Sequence, residues 1–363
     1  NLLPTVRFPA FGVTALERST TLGNRSLRPE SSRNLELGLE LEWWNGRLGF
    51  DATWYWNQSR DQIVNAQLSA ATGYLRSPIN GGQIDTKGAE LQVKIVPVRN
   101  TDWEWSNTIN FTRYRSIVTE LPVNSSGIVL GSYTNLSTVM LEGQPYGVMI
   151  GTSIKRNEDG LPIIDEDGFP LLNEEQTVIG DPNPDWLMGV HQRLRYKRFS
   201  CFLLWDIRQG GDIWNGTRGV LSYLGISEIS GERRDETVVF DGVTSSGEVN
   251  TRPVALADPA NGMSGVYWRR YGFLGLAEEH VEEVSWLRLR TIGAAYAFLL
   301  RRRPSGVHPT LTNGLSAYNV LLFTNYTGVD PDTNLRGDSN IRGWDYFNSP
   351  GTTGGEFRVR LSF

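Results

Sequence analysis

A single cysteine, Cys201, occurs in 363 residues, which excludes an intrachain disulfide and any multi-cysteine zinc site. The three histidines, His191, His280 and His308, lie far apart without ligand spacing. No apolar run approaches the roughly 18 residues of a membrane-crossing helix. The net charge is −5 and no long basic run appears, so a nucleic-acid partner has no electrostatic footprint. There is no Gly-x-Ser-x-Gly elbow, phosphate-binding loop or His-Glu-x-x-His pair, and no catalytic set emerges. Carboxylates are plentiful, but a sequence does not show a pair at glycosidase spacing. Neither a cofactor nor a metal is expected. The chain opens at Asn1 with no initiator methionine or signal peptide, which reads as a processed or partial chain.

What is abundant is aromatic. Phe, Trp and Tyr make up 11% of the chain, with 12 Trp and 13 Tyr. Tryptophan and tyrosine favour a membrane–water boundary because the ring is apolar while its polar handle stays wet. Mean hydropathy is −0.32, a value that suits a soluble protein and a transmembrane β-barrel alike. In a barrel only one face of each strand meets lipid, so the average stays low.

Period-two alternation, the signature of strands with one apolar face, recurs along the chain. Leu35, Leu37, Leu39, Leu41 and Trp43 alternate with Asn34, Glu36, Gly38, Glu40 and Glu42. Asn45-Gly46 predicts a two-residue hairpin turn. Leu48, Phe50, Ala52, Trp54 and Trp56 then alternate with Gly49, Asp51, Thr53, Tyr55 and Asn57. Further strands are predicted through Ala89–Ile95, Trp103–Phe111, Trp186–Leu194, Phe199–Ile207, Leu287–Phe298, Leu315–Phe323 and Phe357–Phe363, with a weaker one through Val6, Phe8 and Ala10. That makes about ten strands, each near the 9–11 residues needed to cross a bilayer at a tilt.

The connections fall into two classes. Asn45-Gly46, Val98 to Thr101, Lys197-Arg198 and a middling one near Arg301 to Asn313 are short. Those at Ala15 to Arg33, Asp61 to Ile84, Ile117 to Pro184, Gly210 to Glu282 and Thr324 to Gly354 are long, and the two classes alternate. Short periplasmic turns and long outer loops are the pattern of outer-membrane barrels. A soluble β-sandwich also alternates, but its loops seldom exceed about 15 residues, whereas these reach roughly 70 on one side. The alternation holds only if Gly143 to Arg156 belongs to the large outer loop, with a hairpin at Asp159-Gly160 or Asp167-Gly168.

Several residues could carry chemistry. Asn157-Glu158-Asp159-Gly160 and Asp165-Glu166-Asp167-Gly168 are acidic, yet lack the ligand spacing and closing Glu of a calcium loop; Asp-Gly turns account for them better. Arg193, Arg195, Arg208, Arg288, Arg290, Arg358 and Arg360 share the inner face with Glu36, Glu40, Glu42, Asp51, Glu90, Asp206 and Glu356. They read as a charged solute path or, more simply, as cross-strand ion pairs in a wet lumen. Trp205, Trp214, Trp268 and Trp286 could stack sugar rings. Trp205 falls on the outward face, so Trp214 and Trp268 in the largest loop, with Arg208 and Asp212 beside them, are the substrate-binding candidates.

A series of motifs, in chain order, resembles the SusC/RagA-like TonB-dependent transporters of Bacteroidota outer membranes. Asn24 to Glu30 (NRSLRPE) with Leu35-Glu36-Leu37-Gly38, Trp43 to Leu48 (WWNGRL), Thr86 to Glu90 (TKGAE), Gly180 to Trp186 (GDPNPDW), Arg208 to Asn215 (RQGGDIWN), Val284 to Arg290 (VSWLRLR), Tyr326 to Pro331 (YTGVDP) and the final Phe363 each resemble a family element. Each is weak alone; their collinear run is specific. At Tyr318-Asn319-Val320-Leu321 the chain departs from the family, which usually has a glycine before the Asn.

The resemblance implies an all-β transmembrane antiparallel barrel of about 22 strands, of which this chain supplies about ten C-terminal ones with long extracellular loops, including 117–184 and 210–282. It implies nutrient import across the outer membrane, of oligosaccharides or peptides. The partners it implies are a SusD-like surface lipoprotein, the plug and N-terminal barrel strands, TonB–ExbB–ExbD acting through the plug, and membrane lipid. A structural or adhesive barrel within a larger surface assembly is the competing reading.

Overall fold

The computed structural model describes residues 5–10, 13–17, 19–122, 125–257, 266–300 and 309–362. Phe363 and most of the connection after Arg301 lie outside the described residues, as do the side chains of Val6, Phe8 and Ala10.

Nine strands form one sheet: β1 (Ser31–Trp43), β2 (Leu48–Arg60), β3 (Gln83–Arg99), β4 (Trp103–Glu120), β5 (Trp186–Tyr196), β6 (Phe199–Gln209), β7 (Trp286–Leu299), β8 (Thr310–Thr324) and β9 (Gly354–Ser362). Spatial order follows chain order from β1 to β9, every neighbouring pair is antiparallel, and the sheet is not closed. The nine match the strong alternating segments. The weaker strand also forms, as Thr5–Ala10, but pairs with Val13–Glu17 in its own hairpin rather than joining the wall.

The register joins apolar positions into one outward face. Leu35, Leu37, Leu39 and Leu41 oppose Trp56, Trp54, Ala52 and Phe50, and the last two continue to Leu91 and Val93 on β3. Many of these side chains remain open, Leu37 at 63% and Leu315 at 65%, which is tolerable only against lipid. Asn107 and Gln192 interrupt this face opposite one another, and Gln192 Nε2 donates to Asn107 Oδ1 at 3.2 Å. One donor and one acceptor are thus paired where water is scarce.

Two local departures from the alternation have clear causes. Trp44, Asn45 and Gly46 all take left-handed φ (53°, 54° and 74°), and Trp43 pairs with Leu48, so the first hairpin closes through four residues rather than the predicted two. Along β7 the outward residues change parity, from Leu287 and Leu289 to Ile292, Ala294, Tyr296 and Phe298. A bulge at Arg290 explains this: Trp205 and Leu204 of β6 face Leu289 and Thr291. On β8 the matching irregularity falls at Asn319, whose φ is 52°. An asparagine tolerates this conformation better than most residues, and its amide donates to the Thr352 carbonyl at 2.9 Å.

The long connections are folded. The 61–82 loop holds a hairpin, Ile63–Gln67 with Arg76–Asn80. The 121–185 loop holds a small sheet of Ile128–Tyr133, Leu136–Met140, Val148–Gly151 and Thr177–Gly180, so the Gly143 to Arg156 segment stays out of the wall. Tight turns close at both Asn157–Gly160 and Asp165–Gly168. The 210–285 loop adds short helices, Gly216–Tyr223 and Glu228–Glu232.

Candidate functional site

The buried cores of the protein lie among these loops. Leu136, Met149, Trp214 and Trp344 form one, all with no exposed surface, with Tyr133, Phe273 and Tyr346 packed against it. Trp214 and Tyr346 stack at 6.5 Å and 9°. Ile213, Val284, Trp286 and Tyr326 form a second, seated on the inner side of the wall.

Three motifs converge here. In Gly180 to Trp186, the Asp181 amide donates to Asp212 Oδ2 at 2.7 Å, and the Asp212 amide returns to the Asp181 carbonyl at 2.7 Å. Arg208 donates to the Pro182 carbonyl at 2.8 Å and to the Gly210 carbonyl at 3.0 Å, and its guanidinium lies 5.1 Å from the Trp286 ring. Gly210 and Gly211 have φ of 74° and 89°, and a Cβ on Gly211 would meet Arg208 and the Asn183 backbone. Beyond them, Asn215 caps the Gly216–Tyr223 helix and also donates to Glu282 at 2.9 Å. In Tyr326 to Pro331, the Tyr326 hydroxyl donates to Asp345 at 2.7 Å, and Thr327 donates to Glu282 at 2.7 Å. Asp330 pairs with Arg288 of the wall, both nearly inaccessible, and accepts from the Asp332 and Gly351 amides. Burial raises the Asp330 carboxyl, but the Arg288 hydrogen bond and the two amides outweigh it and hold it below its ordinary value. Arg290 bridges Asp206 of the wall and Asp332 of the loop at 2.7 and 2.6 Å.

The inner-face charges are therefore used in two ways. Arg195 pairs across strands with Glu104. Arg288 and Arg290 instead reach from the wall into the last loop, an arrangement that alternation alone does not reveal.

Three of the four candidate residues, Arg208, Asp212 and Trp214, lie in or beside this junction, and Trp268 lies on the short helix Val266–Tyr271. Trp214 is fully buried and Trp268 is 7% exposed, so in this arrangement neither offers a face on which a sugar could stack. Trp286 is buried too. Arg208 and Asp212 are spent on backbone of the opposing loop, and burial raises the Asp212 carboxyl against the lowering effect of the Asp181 amide. Asp165 accepts from the Asp167 and Phe169 amides of its own turn, and Asn157 does the same for Asp159 and Leu161. Among the described residues no three His, Cys, Asp or Glu side chains are grouped to hold a metal.

The open polar hollow nearest the junction is elsewhere. It is about 300 Å³ and lies between the inner wall and two loops, lined by Tyr55, Thr86, Tyr114 and Ser116 from strands, Tyr146, Gly147, Pro182 and Asn183 from the 121–185 loop, and Asn340 and Arg342 from the last loop. Arg342 donates to the Tyr114 hydroxyl at 3.3 Å, and the Asn183 amide to the Tyr146 carbonyl at 3.0 Å. Burial raises the Tyr146 phenol, although Arg342 and a bond from Asn340 pull it down, so it remains a proton donor. A hollow of about 530 Å³ at Trp44, Asn45 and Pro97 sits at the short-turn end, away from every loop motif. Sequence reasoning missed Tyr55 and Tyr114. Their signal is an aromatic ring at an inward position, where neighbours on the strand are polar.

Residues 5–228 match the family described as TonB-dependent receptor-like β-barrel, more than half of the chain. The chain belongs to that family. TonB-dependent receptors are integral to the outer membrane and are transporters, not enzymes. TonB-dependent receptor P3 of Formosa agariphila is 26% identical over 91% of this chain and 34% of its own length. TonB-dependent receptor P39 of the same organism is 23% identical over 92% and 35%. The chain thus spans about a third of the length of these relatives. The solved RagAB peptide transporter has the same fold across all of this chain and 38% of its own, at a TM-score of 0.69 and 18% identity. The RagAB peptide importer in its closed-closed state gives 0.67 and 19%. The SusC/RagA resemblance read from the motifs therefore stands, and the nine-stranded wall is part of a TonB-dependent receptor barrel.

Proposed function

We propose that this chain supplies wall and outer loops of a TonB-dependent importer, and that the hollow bounded by Tyr55, Tyr114, Tyr146 and Arg342 receives its cargo. In this reading loops 117–184 and 210–282 face outward, and the remaining strands and a plug complete the barrel at the free edges of β1 and β9. The observation that carries it is the hollow's chemistry: three phenols, two carboxamides and one guanidinium around a space open to the lumen. Such groups suit a solute rich in carbonyls, carboxylates or hydroxyls, a peptide or an oligosaccharide, and offer nothing to a reaction. The name of the RagAB importer favours a peptide. A SusD-like lipoprotein closes the outer mouth, and TonB acts through the plug. Trp214, Trp268, Arg208 and Asp212 serve cargo indirectly, by holding the loops that present Tyr146, Asn183 and Arg342.

The test is uptake by cells producing the full-length receptor. Arg342→Ala removes a charged donor and lowers uptake of the bound peptide or glycan by about tenfold, with receptor abundance unchanged. Uptake equal to the unmodified receptor would remove the hollow from the pathway. Surface binding with no uptake by either form would favour the adhesive reading.

A further inference from the structure

The outward face of the wall carries a charged sector that import does not explain. On the outward face of the early strands, at their ends toward the long loops, stand Arg33 on β1, Arg60 on β2, Lys87 on β3, and Arg113 and Arg115 on β4, all exposed. Lys87 faces Arg115 directly, while Arg113 faces Ala89 and so lies diagonal to Lys87. Trp56 flanks Lys87 on the other side. Directly opposed side chains on one sheet face have Cβ atoms about 5 Å apart, and like charges there repel. Among the described residues no side-chain hydrogen bond or ion pair ties any of the five. Of the nearby carboxylates, Asp85 accepts from Gln58 and Gln83, and Asp61 pairs with Arg28.

The rest of the wall is the internal control. The equivalent positions on β6 to β9 are Gln209, Ser285, Asn325 and Gly355, all uncharged. The cations are thus confined to one sector, with Lys87 and Arg115 in the row of Trp56 and Arg113 in the row of Trp54. Aromatic rings of this kind sit at the level of the lipid headgroups, so the sector meets headgroups rather than hydrocarbon.

We propose that Arg33, Arg60, Lys87, Arg113 and Arg115 form a docking site for the phosphorylated headgroup of a glycolipid in the outer leaflet. Arginine forks pair with phosphate oxygens in two parallel hydrogen bonds, and an anion between Lys87 and Arg115 converts their repulsion into attraction. The width selects the headgroup. Strands lie about 4.8 Å apart, so β1 to β4 spread the cations over roughly 15 Å. One phosphodiester does not span that distance; a large headgroup with several anionic groups does.

The full-length receptor in phosphatidylcholine nanodiscs, doped with lipid A or with the same lipid A after phosphatase treatment, gives the test, with bound lipid counted by native mass spectrometry. The receptor retains the phosphorylated form, and the K87Q/R113Q/R115Q variant retains it roughly tenfold less or worse. Lys197→Gln at a short turn changes nothing. Heat-modified gel migration verifies that each variant is folded. Equal retention by the triple variant, equal retention of the phosphatase-treated lipid, or equal retention of phosphatidylglycerol would each overturn the assignment.

Discussion

The wall and the loops of this receptor keep apolar side chains in opposite places. In the wall, Leu37, Leu315 and Phe357 are more than 60% exposed, and the strands are held by continuous backbone ladders and by lipid outside. In the loops, Trp214 and Trp344 are fully buried, and polar pairs such as Arg288 with Asp330 are sealed beside them. One chain thus obeys two solvents. The wall is an inverted protein with its greasy side out, and the loops form a conventional interior packed in part against Trp286 of the wall.

Removing one partner of a sealed pair is the harshest way to test the difference. Arg288→Ala leaves Asp330 buried without its cation and costs the loop about 3–5 kcal/mol. Hydrogen exchange then quickens across residues 326–351 while β2 and β3 stay protected; quickening throughout the wall would mean the two regions fold as one unit. A charge placed on each region's exposed leucines is a sharper probe. Leu37→Arg enters lipid and costs about 2–4 kcal/mol, whereas Leu224→Arg, exposed to 47% on a loop, changes stability by no more than about 0.5 kcal/mol. Urea unfolding of the refolded receptor in bilayers measures both. Equal costs would remove the lipid from the argument.

Smaller effects report on the loop interior alone. Tyr326→Phe deletes a buried donor to Asp345 and costs the loop about 1–3 kcal/mol, read by the same exchange experiment. A pH dependence reports on the same interior. His280 is 4% exposed, its Nε2–H donates to the Tyr271 carbonyl at 3.2 Å, and Nδ1 has no partner among the described residues. Burial, with the Arg218 charge in support, lowers its pKa from 6.5 to about 4. Between those values the unfolded chain binds a proton that the folded loop refuses. The contribution is therefore intact above about pH 6.5 and is lost as pH falls toward 4. Protease sensitivity of the 210–285 loop rises over that window, and His280→Gln flattens the rise.

Where the sequence was legible follows from the same contrast. Strand positions and the Lys197-Arg198 turn follow from period-two patterning, because a lipid face punishes misplaced polar residues, and the exclusion of Gly143 to Arg156 from the wall follows from the alternation of long and short connections. The parity change at Arg290 did not, since a bulge depends on the neighbouring strand. Trp214 resembled a ligand platform because an aromatic in a long loop has no periodic neighbours to show that it is core. Tyr55 and Tyr114 were visible only as rings out of phase.

By itself, then, the sequence determined where the nine wall strands run, which face meets lipid, the long and short sides and the family, while its count of about ten included Thr5–Ala10, which pairs outside the wall. Those properties depend on residues near in sequence or at a fixed period. Only the tertiary structure decided that Arg208 braces Pro182, that Arg288 seals Asp330, and that Tyr114, Tyr146 and Arg342 share one hollow. Arg342 lies 228 positions beyond Tyr114, and no local pattern encodes a meeting at that separation.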